Sequence, residues 1–424
     1  MPSHYVQIVE EKCNGCVLCM KACPTKAIRV REDQKARIEG VCIDCGECVR
    51  VCPRGAVEVV TTGSDHGKLN RYPIIGPSPV LYTQFGEEFT PNEILLAVRK
   101  AFRYVYDQAY THELFNAATE LFIQECREGK REVNWPIISP VCPVVNLLIA
   151  YRFPSLLDHI LPIVAPREIA ARELKRRLYC EGVFNTDEFG IYHVSPCSAK
   201  MLSIKEPMFL EASHINGVLG INEVFHAVKR HLGQVDEEVI LHHSSGVGIG
   251  WGGSGGEIAG LGLGNYLAVS GMQETIRYLE KIEMGLLTDV EYIEFRSCSE
   301  GCIGGPLTVA DKYQAKRTLE KIVRKFGVEK RVSIKRVQKA YQEGWFASNK
   351  VRSPLNDPLK RLSIPDAIER QERIEQLLQR LPRKECALCG SPDCRTFAED
   401  VVDGRASPER CMFLKRSIAG GLKK

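Results

Sequence analysis

Cysteine is the residue type that offers this sequence the most chemistry, because 16 of its 18 cysteines fall into regularly spaced groups. One pattern occurs twice near the start of the chain, with the copies 29 residues apart. Each copy has three cysteines separated by two residues and a fourth cysteine that precedes a proline. The cysteines are Cys13, Cys16, Cys19 and Cys23, then Cys42, Cys45, Cys48 and Cys52. In a chain of 424 residues, such groups indicate metal ligands more than disulfides.

The doubled pattern resembles bacterial two-cluster ferredoxins over about residues 1–62. In this spacing three thiolates of one run hold one [4Fe-4S] cluster, and the fourth cysteine crosses to the other cluster. We therefore expect one cluster on Cys13, Cys16, Cys19 and Cys52, and a second on Cys42, Cys45, Cys48 and Cys23. A pair of zinc knuckles is the alternative, but tetrahedral zinc needs two cysteine pairs and not two overlapping triplets.

Four further cysteines lie in three separate motifs, which read SPVCP at 139–143, SPCSAK at 195–200 and SCSEGCIGG at 297–305. In order and spacing the motifs resemble the three signatures of [FeFe] hydrogenases, T-S-C-C-P, M-P-C-x-x-K and C-P-G-G-C-x-x-G-G. The resemblance spans about residues 75–345. It implies the fold and the active-site cofactor of that family, the H-cluster, for this part of the chain.

The same resemblance implies a role for each matching residue. Cys142, Cys197 and Cys298 would ligate a [4Fe-4S] subcluster, and Cys302 would bridge it to a diiron subsite with CO, cyanide and a bridging dithiolate. Lys200 would lie near a cyanide ligand and hold it by a charge-assisted hydrogen bond. An exposed surface lysine is the alternative for Lys200, since lysines are mostly exposed.

A glycine-rich stretch at 246–256 contains the spacing G-x-G-x-x-G and so raises the alternative of a dinucleotide-binding loop. We disfavour that alternative because the segment from Glu257 is expected to continue as a helix, without a second strand that ends in an acidic residue. The hydrogenase resemblance instead places Trp251 and Ser254 against the diiron site. Glycines suit this position because they let the backbone approach an inorganic ligand closely.

The sequence departs from the hydrogenase pattern at the position before the first ligand. The family has a proton-passing cysteine there, whereas this chain has Val141, and loss of a proton donor typically slows a reaction by about 10²- to 10⁴-fold. Ser195 and Arg296 stand where the family has methionines. Glu300 and Glu257 are candidate substitutes in proton transfer, with a solvated loop charge and a helix N-terminal charge as the respective alternatives.

The last group of cysteines is Cys386, Cys389, Cys394 and Cys411. Its spacing resembles the single-cluster [4Fe-4S] module of corrinoid iron-sulfur proteins and of an electron-transport complex subunit, with three ligands before a helix at 397–402 and one after it. A structural zinc site is the alternative. The remaining two, Cys126 and Cys180, belong to no motif and are expected to be buried thiols.

The elements that would position these motifs alternate between short strand-like runs and amphipathic helical stretches. Strand-like runs at 134–138, 190–194 and 291–295 each lead into one of the three central motifs, and open α/β sheets place their sites just past such strand ends. Amphipathic stretches that predict helices lie at 90–106, 166–178 and 222–232. We thus predict a multidomain chain.

The predicted domains are an α+β ferredoxin-like domain at 1–62, an α/β H-cluster domain at 70–348, a helical linker at 349–384 and a small helical four-cysteine module at 385–424. Within the linker, a helix at 366–381 is expected either to pack on its own chain or to form a homodimer contact.

Composition excludes several classes of partner. There are 57 Lys and Arg against 53 Asp and Glu, a net charge of +4, and no block of like charge that would indicate nucleic acid or an anionic membrane. The first residues have no basic segment followed by an apolar one, the pattern expected of a signal sequence, and the most apolar window, 137–151, is short and contains two prolines. We therefore expect a cytoplasmic protein that does not span a membrane.

The function that these features favour is a sensory or low-activity [FeFe] hydrogenase. It would bind and split H2 reversibly and relay electrons through three accessory [4Fe-4S] clusters to a redox partner, either a ferredoxin or a signalling protein, after loading by maturation proteins. One alternative is a metabolic hydrogenase with a proton path through Glu300 or Glu257. Another is a hydrogenase-like protein without the diiron site that acts in iron-sulfur assembly or electron transfer.

Overall fold

The computed structural model describes residues 4–63, 69–182, 188–234, 239–355 and 362–414. The chain divides into two compact units, one formed by Met1–Val59 with Leu355–Lys424 and the other by Val60–Pro354. Within the described ranges, no helix combines the length and apolarity needed to cross a lipid bilayer.

The internal repeat of the sequence becomes a structural repeat at the N-terminus. The elements are β1 (Val6–Ile8), α1 (Leu18–Ala22), β2 (Ile28–Val30), β3 (Ala36–Ile38), α2 (Glu47–Val51) and β4 (Val57–Val59). Strands β1 and β4 pair antiparallel, as do β2 and β3. Val17 and Gly46, which precede the two helices, both adopt left-handed backbone with φ of 61° and 73°, so each cysteine run turns sharply before its helix. This is the predicted ferredoxin-like fold.

The central unit contains seven strands within the described residues. They are β5 (Tyr72–Pro77), β6 (Tyr104–Val105), β7 (Ile137–Ile138), β8 (Phe189–Ser195), β9 (Gly217–Gly220), β10 (Tyr266–Ser270) and β11 (Tyr292–Arg296). They form a four-stranded sheet in the order β6-β5-β8-β9 and a three-stranded sheet in the order β10-β11-β7. Every pairing is parallel. Parallel sheets require crossover helices and are covered on both faces, which explains the apolar runs in the sequence.

The helices of the central unit are α3 (Pro91–Phe102), α4 (Ala109–Arg127), α5 (Pro143–Arg152), α6 (Pro166–Cys180), α7 (Ala199–Lys205), α8 (Ile221–Lys229), α9 (Gly246–Gly250), α10 (Met272–Glu283), α11 (Lys312–Phe326) and α12 (Ile334–Gln342). Helix α3 begins with a capping box between Thr90 and Glu93. It is shorter than the predicted 90–106 because Arg103 leaves the helical region with φ of 75°, and the next two residues form β6.

One helix prediction in this unit is wrong. The segment after Glu257 forms a single 3-10 turn, Ile258–Gly260, and then continues into strand β10 instead of extending as a helix. Glycines at 260, 262 and 264 account for the difference, since each costs a helix about 1 kcal/mol relative to alanine. The expected absence of a second strand is therefore also wrong, but strand β10 ends at Ser270 and not at an acidic residue, and this part of the argument against a dinucleotide-binding loop remains.

The C-terminal part of the first unit contains α13 (Ile364–Arg380) and α14 (Cys394–Val402). Ile374 of α13 is fully buried in a small core with Leu381, Phe397 and Leu414. The helix expected at 366–381 therefore packs on its own chain, the first of the two predicted alternatives.

Candidate functional site

The first set of ferredoxin-like cysteines surrounds a single cavity. Cys13, Cys16 and Cys19 of the first run line it together with Cys52, which comes from the end of the second run. Burial, with smaller contributions from the neighbouring Cys13 and Cys16, raises the pKa of Cys19 to about 11. The structure thus brings together the three-plus-one set that the spacing predicts.

The second set is equally crowded. Burial raises the pKa of Cys48 to about 12, with Cys23 as the next contributor. The pKa of Cys45 is also raised by burial, and Cys23, Cys48 and Cys42 contribute to that rise. Four buried or half-buried thiols that repel one another as anions need a cation to stabilise their thiolate form, and a coordinated metal supplies it.

The C-terminal cysteines also line one cavity. Cys386 and Cys389 come from the loop before α14, Cys394 is its first residue, and Cys411 follows the 3-10 turn Pro408–Arg410. Burial raises the pKa of Cys389 to about 11, and Cys386 and Cys411 add to the rise.

The three central motifs converge because each follows the end of a parallel strand. Cys142 follows β7 and precedes Pro143, which occupies the first position of α5, where no backbone N–H is needed. Cys197 follows β8, and its backbone N–H donates to Ser195 Oγ at 3.0 Å. Cys298 follows β11, and Cys302 begins a 3-10 turn.

The four central thiols lie close enough to affect one another. Burial raises the pKa of Cys197 to about 12, and Cys298, Cys142 and Cys302 all contribute. Cys142 Sγ lies 3.6 Å from the hydroxyl of Ser297, the first residue of the third motif. The first three cysteines are buried, whereas Cys302 is half-buried.

Two cations face this group of thiols. Lys200, in the first turn of α7, is only 9% exposed, so the alternative of a surface lysine is wrong. Burial lowers the pKa of Lys200, and the nearby Cys302 and Cys197 oppose that decrease. Burial also lowers the pKa of the half-buried Arg167, and the cysteines oppose that decrease as well. Among the described residues, the buried ion pairs of this unit involve Arg296 and His242 and neither Lys200 nor Arg167. Such a pocket suits an anionic group held by thiolates.

The glycine-rich stretch lies along the third motif. Ser254 N–H donates to Glu300 O at 3.0 Å, and Ile303 N–H donates to Gly252 O at 2.9 Å. Gly301 has φ of 89°, and a Cβ there would lie 2.5 Å from Ser254 N, so only glycine fits.

The first glycines of the stretch do not have the expected role, which was to let the backbone approach a ligand closely. They form α9, and a Cβ on Gly246 or Gly248 would meet backbone oxygens of neighbouring segments at 2.5 and 2.2 Å. Close helix packing, and not approach to a ligand, explains these two glycines. Trp251 at the end of α9 is buried, with its ring centroid 4.7 Å from that of His112.

Glu257 is the centre of a buried polar network. It is 0% exposed and accepts hydrogen bonds from Ser139 Oγ at 3.0 Å, from Arg296 Nη2 at 2.7 Å and from the Tyr292 hydroxyl. Ser139 belongs to the first motif, and Arg296 stands two residues before Cys298. Glu257 therefore ties two motifs together, and the expectation of a helix N-terminal charge is wrong because its side chain makes no capping hydrogen bond.

Glu294 completes the network and was missed from the sequence. It is fully buried, accepts from the backbone N–H groups of Gly255, Glu257 and Ile258, and lies 3.5 Å from Arg296. Burial raises its pKa, and Arg296 opposes the rise. The available signal was an acidic residue inside an apolar strand, which is costly unless the residue is paired.

His112 was also missed, because no spacing motif contains it. Burial, with smaller contributions from Lys200 and Arg296, lowers its pKa to about 3, which keeps the imidazole neutral.

The remaining candidates have simpler environments. Glu300 forms an ion pair with Lys316 at 2.7 Å, and both side chains are partly exposed, which matches the alternative of a solvated loop charge. Val141 is half-buried and packs against a core that includes Trp251 and Tyr292.

The two unassigned cysteines differ. Cys126 is buried as expected, but Cys180 is exposed because it ends α6 on a solvent-facing turn. The prediction that Cys180 is a buried thiol is wrong.

Comparisons with known proteins agree with this arrangement. Residues 72–306 match the iron only hydrogenase large subunit, C-terminal domain. Residues 5–53 match a 4Fe-4S dicluster domain, and residues 381–413 match the Fe-S cluster family FeS. A search of curated proteins finds no significant match.

Solved structures of hydrogenases share the fold. HydA(deltaEFG), from a study of stepwise [FeFe]-hydrogenase H-cluster assembly, is 13% identical with a TM-score of 0.52 and covers 67% of this chain and 94% of that one. A variant of [FeFe]-hydrogenase HydA1 from Chlamydomonas reinhardtii gives the same identity, TM-score and coverage. With the family match extending over more than half of its length, the chain belongs to the family of the iron-only, or [FeFe], hydrogenase large subunit.

Proposed function

We propose that this protein is a sensory [FeFe] hydrogenase of low turnover, which binds and splits H2 reversibly and passes the electrons through three accessory [4Fe-4S] clusters. The observation that carries the proposal is a pocket of four thiols and a buried lysine with an apolar residue, Val141, at the position of the family's proton donor. An intact binding site without that donor favours a role in sensing H2 over a role in consuming it.

The residues of the pocket fit the family's cofactor. Cys142, Cys197 and Cys298 would hold a [4Fe-4S] subcluster, and the more accessible Cys302 would hold the diiron subsite. Lys200 would donate to a cyanide ligand, since it is buried beside Cys302 and Cys197 without a carboxylate partner among the described residues. The H-cluster, when bound, supplies the heterolytic cleavage of H2 and accepts the electrons.

Proton transfer is the step at which this chain is poorly equipped. Val141 can neither donate nor accept a proton. Glu257 is held by Arg296 and has no exposed surface, which disfavours exchange with solvent. Glu300 is engaged by Lys316 at the surface, and we propose no route through it.

The accessory clusters would carry electrons to a redox partner protein, which would be either a signalling protein or a ferredoxin. Loading of the diiron subsite requires maturation proteins. The competing function is a hydrogenase-like iron-sulfur protein without the diiron subsite, which would use the same cysteines for assembly or electron transfer only.

Infrared spectroscopy of the full chain after treatment with maturation proteins separates these functions. We expect bands of bound CO and cyanide, together with H2 turnover per loaded site far below that of typical hydrogenases. The absence of such bands, with all [4Fe-4S] clusters present, would favour the competing function. High turnover with the bands present would favour a metabolic hydrogenase.

Replacing Lys200 with methionine is expected to weaken retention of the diiron subsite by roughly 10- to 100-fold, because a hydrogen bond to a charged group contributes about 1.5–3 kcal/mol. The measurement is the intensity of the CO and cyanide bands per protein. Lys205→Met is the matched control, since Lys205 lies in the last turn of the same helix and is exposed. Equal band intensity in the two variants would contradict the role of Lys200.

A further inference from the structure

The C-terminal cysteine module is fastened to the ferredoxin-like fold by a buried ion pair within the first unit. Arg29 of β2 is 3% exposed and Asp400 of α14 is 0% exposed. Arg29 Nε lies 2.5 Å from Asp400 Oδ2, and Arg29 Nη2 lies 3.1 Å from Oδ1, which is a bidentate geometry. Ser391 Oγ also donates to Asp400 Oδ2 at 2.7 Å. Removing Arg29 would leave the buried Asp400 carboxylate with only the longer ion pairs to Arg31 at 3.6 Å and Arg405 at 3.4 Å, so the Arg29 contact favours the docked arrangement.

A backbone contact continues the same interface. Val30 N–H of β2 donates to Gly390 O at 3.0 Å, on the strand that otherwise pairs with β3. Gly390 has φ of 84°, and a Cβ there would lie 1.9 Å from Val30 O. Only glycine allows this approach. The loop that carries Cys386 and Cys389 therefore lies directly against β2.

Two further contacts flank this hydrogen bond. Lys26, in the turn after Cys23, forms an ion pair with Asp393, which precedes Cys394. Ala387, between two cysteines of the module, is 4% exposed and belongs to the core of the ferredoxin-like fold. With the Arg31–Asp400 ion pair at 3.6 Å, the interface thus has an apolar contact and three ion pairs around the Val30–Gly390 hydrogen bond.

The position of this hydrogen bond relates two of the cysteine cavities. Val30 lines the cavity of Cys13, Cys16, Cys19 and Cys52. Gly390 directly follows Cys389, which lines the cavity of the C-terminal cysteines. The side chain and N–H of Val30 and the carbonyl of Gly390 are therefore a short connection between the two sets of thiols.

We infer that the C-terminal cluster exchanges electrons directly with the cluster of Cys13, Cys16, Cys19 and Cys52, across the Val30–Gly390 contact. In each transfer one cluster loses a single electron and the other gains it, and no bond or proton changes. The inference rests on the proposed assignment of [4Fe-4S] clusters to both cavities, but it does not depend on the diiron subsite.

Electron paramagnetic resonance of the full chain tests this inference. The protein is prepared with its [4Fe-4S] clusters but without the diiron subsite and is reduced with dithionite. We expect a magnetic splitting that requires the reduced C-terminal cluster, in addition to any interaction between the two reduced clusters of the ferredoxin-like fold. Gly390→Ala and Arg29→Gln are expected to lose this splitting while they retain the iron content of the parent protein.

Matched controls distinguish loss of docking between the C-terminal module and β2 from a general loss of structure. Gly404 also has positive φ, at 72°, but a Cβ there has open space, so Gly404→Ala should keep the splitting. Arg37 forms a partly exposed ion pair with Asp33 in the β2–β3 hairpin, so Arg37→Gln should keep it as well. A parent spectrum without a splitting that requires the C-terminal cluster overturns the inference, as does equal loss in Gly390→Ala and Gly404→Ala.

Hydrogen exchange at the Val30 amide provides a readout that needs no cluster. We expect slow exchange in the parent chain and in Gly404→Ala, and fast exchange in Gly390→Ala. Fast exchange in the parent chain contradicts the docked interface. Because neither measurement involves H2 or the diiron subsite, failure here is distinguishable from failure of the proposed hydrogenase function.

Discussion

Replacing Val141 with cysteine is expected to raise hydrogen turnover per loaded site by at least about 10²-fold, because a positioned proton donor contributes about 10²- to 10⁴-fold. The surroundings accommodate this substitution. Val141 N–H donates to Ser139 Oγ at 3.3 Å, and this backbone hydrogen bond does not depend on the side chain, so the substitution leaves the local backbone in place. The loss of one methyl group from a half-buried side chain costs about 0.5–1.5 kcal/mol, so the fold is retained.

The measurement is hydrogen evolution and uptake, divided by the diiron content from infrared band intensity. Val141→Ala is the matched control, since it reduces the side chain without adding a thiol. We expect turnover in that variant to remain at the level of the parent protein. Equal or lower turnover in Val141→Cys at full loading would refute the idea that the missing proton donor limits the rate.

Replacing Glu257 with alanine is expected to lower the free energy of unfolding of the central unit by about 3–5 kcal/mol, the usual effect of breaking a buried ion pair. Among the described carboxylates Arg296 would keep Glu294, at 3.5 Å, and the hydroxyls of Ser139 and Tyr292 would lose Glu257 as their acceptor. The measurement is urea unfolding followed by tryptophan fluorescence. This signal is specific for the central unit, because all 3 tryptophans, at 135, 251 and 345, lie within Val60–Pro354.

Glu300→Ala is the matched control for this variant. Its ion pair with Lys316 is partly exposed, so its loss should cost less than about 1 kcal/mol. Comparable destabilisation in the two variants would show that the Glu257 network is not a major source of stability. The same pair also tests the metabolic alternative, since a loss of turnover in Glu300→Ala at unchanged stability would point to a proton route through that residue.

Much of this protein could be predicted from the sequence because most of its candidate metal ligands are cysteines at regular local spacings. A run of cysteines at every third position can only wrap around a compact group, and the doubled run predicts both the three-plus-one sets and the structural repeat. The parallel strands that lead into the central motifs were recognisable as short apolar runs, since strands covered on both faces need apolar side chains throughout. The four-cysteine sets at 142–302 and 386–411 could be named before any contact was known because their motifs resemble those of known families.

The tertiary structure decided which polar residues are buried and what they contact. Glu257 and Glu300 were equivalent candidates by position along the chain, yet one is enclosed with Arg296 and the other pairs with Lys316 at the surface. Cys126 and Cys180 were likewise indistinguishable, and only the folded chain buries the first and exposes the second. The docking of the C-terminal module on β2 depends on Arg29 and Asp400, which are 371 residues apart. Spacing determines what neighbouring residues can ligate together, but burial and long-range partners depend on how distant segments pack, and no local pattern contains that information.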